Sequence, residues 1–143
     1  MKVEKKAVRS GILKLEKNVQ ITLDEDMNVP DTRPDVEKII ESRGEVHIDE
    51  IEVLTDRLRL RGNFLVQILY LSTDPEQQIS CMEHDFAIEE FMNVEGAESS
   101  DIAKVTADLE DLTISIINSR KCGVRSVIYL SLIHISEPTR HSL

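Results

Sequence analysis

Tryptophan is absent from this chain, and aromatic residues make up only 3% of it. Platforms that stack bases or sugars need such rings, so stacking-based recognition is poorly served. Basic charge is also short. There are 17 Lys+Arg against 27 Asp+Glu, a net charge of -10. Nucleic acids and anionic membranes are bound through cationic contacts, so neither is an expected partner. There are 2 cysteines, Cys81 and Cys122. Both fall in predicted strands and are expected as buried free thiols, as in a reducing cytoplasm. No apolar run reaches the ~20 residues that span a bilayer. Residues 1–10 are charged with no apolar stretch behind them, so they do not read as a secretion signal. There is no Gly-rich loop to cradle a phosphate. Neither Ser10-Gly11 nor Ser119-Arg120 has the setting of a nucleophile elbow. No catalytic set emerges, and the chain is expected to be non-enzymatic. At 143 residues it reads as one domain that buries about two-thirds of its unfolded surface, enough to fold without a disulfide or a metal.

What is present is strand pattern. Arg57, Arg59 and Arg61 alternate with Leu58 and Leu60, the period of two of a strand with one wet face. The arginines are expected to pair across strands with Asp49, Glu50 and Glu52. After Gly62 both faces turn apolar. Phe64, Val66, Ile68 and Tyr70 share one, and Leu65, Leu69 and Leu71 the other. A strand apolar on both faces belongs at the centre of a sheet. Gly62 marks the change and is a candidate bend or bulge. Upstream, Val46 and Ile48 fall out of step with Ile51 and Val53, which predicts a bulge at Asp49-Glu50. Thr55-Asp56 joins the two strands.

Val19, Ile21 and Leu23 alternate as a short strand, after a mixed opening in which Val8, Ile12, Leu13 and Leu15 form a strand broken at Ser10-Gly11. Residues 24–35, with Pro30, Pro34 and a cluster of Asp and Asn, are predicted to be an ordered loop. A short helix is predicted over residues 35–42. Pro34 suits its first turn, Asp35 and Glu37 its positive end, and Val36, Ile39 and Ile40 one stripe. Further strands are predicted near 79–88, from 103 to 116 with a phase slip near Asp111, and from 124 to 129. The fold class is mainly β: an antiparallel meander or sandwich-like sheet with one short α-helix.

The acidic loop is the candidate cation site, with Asp24, Asp26 and Asn28 as weak ligands. A helix-flanked calcium loop needs Gly at its sixth position and Glu at its twelfth, where this chain has Val29 and Asp35. A structural loop is therefore the expectation, and no cofactor or metal is implied. His47 and His84 stand alone among acids, without metal-ligand spacing. The alternative function that these residues leave open is a small ligand-binding β domain, taking a divalent cation at this loop or a glycan on the sheet face.

Residues 130–141 resemble the translation of a transposase adapter used in sequencing libraries. The expectation is a β domain over residues 1–129 and a non-native read-through tail over 130–143, with a further domain lost.

Residues 28–40, Asn-Val-Pro-Asp-Thr-Arg-Pro-Asp-Val-Glu-Lys-Ile-Ile, resemble the SPOCS domain of clostridial spore-coat and spore-morphogenesis proteins. The likeness continues through residues 44–48, 53–56, 60–62 and 66–70, and includes Phe86 and the Arg120-Lys121 turn. By that resemblance the chain is a structural module of endospore coat assembly, tethering coat proteins at the forespore surface from the mother-cell cytoplasm. The implied partner is a coat morphogenetic ATPase or another coat protein. Peptidoglycan is reached only through a LysM domain, which this sequence lacks. The motif positions Pro30, Asp31, Pro34, Asp35, Gly62 and Tyr70 are the binding residues that the resemblance implies.

Overall fold

The computed structural model describes residues 12–136. They form strands β1 (Ile12–Asn28), β2 (Val36–Leu54), β3 (Arg57–Ser72), β4 (Ile79–Asn93), β5 (Ile102–Asn118) and β6 (Lys121–Ser136). Two antiparallel sheets result, ordered β1-β6-β5 and β2-β3-β4. The apolar face of each meets the other, as in a sandwich. Leu58, Leu60, Phe64, Val66, Ile68 and Tyr70 of β3 face Val124, Ile128, Leu130 and Leu132 of β6 across the core, all at most 1% exposed. β3 is central in its sheet, as its doubly apolar second half requires.

The helix expected over residues 35–42 is absent, and that stretch opens β2. Register shifts fall between Val36 and Lys38 and between Ile39 and Glu41. Each bulge adds one residue to the inward period. Val36, Ile39 and Ser42 therefore face the core at intervals of three, which imitates one turn of a helix. The bulge expected at Asp49-Glu50 is present between Ile48 and Glu50, and the slip near Asp111 between Leu109 and Asp111. Gly62 pairs with Ile48 at the first of these. A side chain on Gly62 would collide with the His47 carbonyl oxygen.

Three further expectations change. Asp24, Asp26 and Asn28 belong to the end of β1 rather than to a loop. Cys81 is exposed, whereas Cys122 is buried; both are free. β4 runs on to Asn93 and β6 to Ser136. The last seven residues of β6 lie in the run expected to be foreign. Leu130, Leu132 and His134 point inward there, so an alternating pattern carries the strand onward whatever its origin. The predicted break at Ser10-Gly11 lies outside the described residues.

The two crossings between sheets lie at opposite ends. Residues 29–35 carry β1 over to β2, and residues 94–101 carry β4 over to β5. The second crossing is stitched to the β2–β3 turn, where Asp56 has a left-handed φ of 59°. The Asp56 N–H donates to the Ala97 carbonyl at 3.0 Å, and the Val94 N–H to the Asp56 carbonyl at 3.0 Å.

Candidate functional site

The first crossing, with Asn28 at the end of β1 before it, carries the most distinctive motif in the sequence, Asn-Val-Pro-Asp-Thr-Arg-Pro-Asp. Two prolines shorten the conformational menu of this segment. The Arg33 N–H closes a turn on the Pro30 carbonyl at 2.9 Å. Val29 and Val36 anchor its ends in the core, at 5% and 4% exposure. Their N–H groups donate to the carbonyls of Arg120 and Ser119, both at 2.9 Å.

Arg120, in the β5–β6 turn, does more. Its guanidinium donates to the Arg33 carbonyl at 2.7 Å, the Pro30 carbonyl at 2.9 Å, the Val29 carbonyl at 3.2 Å and Asp35 Oδ1 at 3.0 Å. A planar five-donor fork suits such convergent acceptors, where a lysine ammonium would reach fewer. From below, the hydroxyl of fully buried Tyr70 donates to the Pro34 carbonyl at 2.8 Å. Buried Tyr thus finds the partner its O–H needs.

The candidate residues accordingly divide. Pro34, Asp35 and Tyr70 hold the loop in place. Pro30 and Asp31, with Thr32 and Arg33, are exposed at its tip. Pro30, Thr32 and Arg33 form one wall of a cleft of about 370 Å³, and Gln67, Cys81, Met82 and Glu83 form the rest. Gly62 is not part of this group. It lies eight residues from Tyr70 along β3, about 26 Å at strand rise. Sequence reasoning took Arg120 for a turn residue and missed its role. The usable signal was a cation in one resembling segment and Asp35 in the other.

The weak cation ligands do not converge. Asp24, Asp26 and Asn28 alternate on the exposed face of β1, so neighbours stand about 7 Å apart. Asp35 is committed to Arg120. Among the described residues no group of three or more His, Cys, Asp or Glu is placed to hold a metal. His47 pairs with Glu45 at 2.7 Å, and the His84 ring meets the Phe86 ring at 4.5 Å between centroids.

The expected charge ladder crosses the outer face of β2-β3-β4. Arg59 reaches Glu52 at 2.9 Å, Glu89 at 3.2 Å and Glu50 at 3.8 Å, and Arg61 reaches Glu50 at 3.3 Å. Desolvation acts to lower the Arg59 pKa, but the carboxylates of Glu89, Glu52 and Glu50 outweigh it and hold the pKa above its ordinary value. Arg57 lies over the Phe91 ring, 4.8 Å from its centroid, at cation–π distance. Asp49 takes no part in the ladder.

A family model described as the SPOCS domain of SipL matches residues 35–117. No curated protein and no solved structure matches the chain.

Proposed function

Since the matched segment is more than half of the sequence and the chain belongs to the SipL SPOCS-domain family, we propose that it is a sporulation protein and a non-enzymatic interaction module of the spore coat. It would act in the mother cell at the forespore surface and bind a coat protein, the coat morphogenetic ATPase being the foremost candidate. The family match carries this reading. The geometry supports it in a second way. The crossing at residues 29–35 is fixed by Arg120 and Tyr70, so its exposed tip is preorganised, and preorganised surfaces lose less entropy when they bind.

The test is a fluorescently tagged chain expressed in sporulating cells. Accumulation around the forespore is expected, and a diffuse signal throughout the mother cell overturns the reading.

A further inference from the structure

The two sheets meet along their edges in unequal ways. On one side β2 and β5 lie against each other. There Leu109 of β5 covers Gly44 of β2 so closely that a side chain on Gly44 would come within 2.8 Å of it. On the other side β1 and β4 stand apart. Each is the last strand of its sheet on that side. Lys17 Nζ ties β1 to β4 at one end, donating to the Asn93 carbonyl at 2.7 Å. Beyond that tie the edges enclose a cleft of about 380 Å³, with Ile21 to Glu25 on one wall and Ala87 to Glu90 on the other.

The chemistry of this cleft is specific. Half-buried Ile21 and Leu23 and buried Ile88 supply an apolar floor. In β4, Glu90 shares the inward parity of Ile88 and Met92, and in β1 Glu25 shares that of Leu23 and Met27. Strand alternation therefore puts two carboxylates on the same side as the apolar floor, Glu90 half-buried and Glu25 exposed at the mouth of the cleft. Among the described residues, neither forms an ion pair. Asp24 and Glu89 add charge at the rim.

An open strand edge is a template for another strand, and inward-pointing charge is one device that blocks the wrong one. Acids at Glu25 and Glu90 repel a second copy of a chain with net charge -10. They do not repel a basic strand. The geometry points to the β1/β4 seam as a docking site for an extended segment of a partner protein in which every second residue faces the cleft, and these cleft-facing residues are apolar and basic in turn. The segment pairs with the open edge of β4, which lies inside the family-matched residues 35–117, while β1 forms the opposite wall. Its apolar side chains meet Ile21, Leu23 and Ile88, and its basic ones meet Glu25, Glu90 and the rim. Backbone pairing provides affinity and the alternating side chains provide specificity in this mode. The inference rests on the reading of the chain as an interaction module and names its surface.

The test uses the full purified chain and a labelled peptide that repeats Val-Ser-Lys-Ser, so that Val and Lys share one face. Fluorescence anisotropy reads affinity, and amide hydrogen exchange reads location. Binding is expected, with new protection at residues 87–90 and changes at 21–25. Glu25→Lys with Glu90→Lys should weaken it at least about tenfold, since like charges then face each other. Glu25→Gln with Glu90→Gln should fall between and guards against misfolding of the reversed pair. No binding, equal binding of a Val-Ser-Glu-Ser repeat, or protection along β2 or β5 instead overturns the proposal. So does a dimer in sedimentation whose unliganded amides are already protected at the seam, because the occupant is then a second copy. All of these outcomes are read on the isolated chain. A failed seam therefore leaves forespore accumulation to be judged by the tagged chain alone.

Discussion

The two long edges of the sandwich are built from similar parts to opposite ends. At the β2/β5 edge a glycine, Gly44, lets Leu109 and Phe64 close over the join. At the β1/β4 edge the inward positions carry Glu25 and Glu90, and the edges stay apart. Both joins have half-buried aliphatic residues on an edge strand, Leu109 on one side and Leu23 on the other. Closure is therefore not decided by how apolar the edge is. What differs between the edges is one missing side chain at Gly44 and two carboxylates at Glu25 and Glu90.

The sharpest way to break this contrast is to place the same charge at both edges. Leu109→Lys must desolvate an ammonium at the closed join and should cost about 3 kcal/mol in urea unfolding. Leu23→Lys can extend toward solvent beside Glu25 and should cost about 1 kcal/mol or less. Equal losses would mean that the edges are equally closed.

Bulk is the next probe. Gly44→Val would push a side chain against the Phe64 ring at 2.7 Å and Leu109 at 2.8 Å. Overpacking of this kind costs about 2 kcal/mol. Ala87→Val, on the exposed face of the open edge, should stay within about 0.5 kcal/mol. The same pair of variants, followed by thermal melting, checks both values.

Arg120 lies at one end of the closed join, where the crossing reaches β2. Arg120→Ala should cost about 1.5 kcal/mol through its lost charge-assisted hydrogen bonds. It should also increase hydrogen exchange over residues 29–35 while leaving residues 94–101 unchanged. Arg120→Lys should restore only part of the protection, because an ammonium lacks the planar fork.

The smallest effect compares the two thiols. Cys122, buried in β6, has its pKa pushed up by burial, whereas Cys81 sits exposed on β4. The unfolded Cys122 thiol loses its proton first as pH rises past 9.0. Stability from the protonated thiol is thus complete below that pH and declines above it, by under about 1.4 kcal/mol per pH unit. Cys122→Val should remove that slope from urea titrations between pH 8 and 10. A thiol reagent at pH 8 should modify Cys81 in the folded chain and reach Cys122 only after denaturant is added.

Much of this fold was legible because strand parity is a local signal. The alternation around Leu58 and Leu60, the two-faced run from Phe64 to Leu71, and the bulges at Asp49 and near Asp111 could each be read from neighbours in the sequence. The start of β2 could not. Two bulges three residues apart replaced the period of two with a spacing that a helix also gives. The ends of β1 and β6 were misplaced for a related reason. Asp24 and Asp26 look like loop residues until the outer face of a strand accounts for them, and residues 130–136 alternate regardless of their source. The candidate site was half legible. Its two prolines marked an ordered loop, but the Arg120 clamp joins positions 85 to 91 residues apart. The unequal edges were not legible at all, since they depend on how two separate sheets meet.

The pairing of β1 with β6 also sets an order of assembly. β2, β3 and β4 are consecutive hairpins and can pair as soon as they leave the ribosome. β1 emerges earlier but must wait for β6, because Asn28 pairs with Lys121 and Ile12 with Ser136. Such non-local pairing is slow and leaves strands open to aggregation. Synthesis at 5–20 residues per second leaves β1 alone for roughly ten seconds. Until its partner strand arrives, β1 carries the acids Glu16, Asp24, Glu25 and Asp26, and charge of this kind disfavours pairing with the wrong edge.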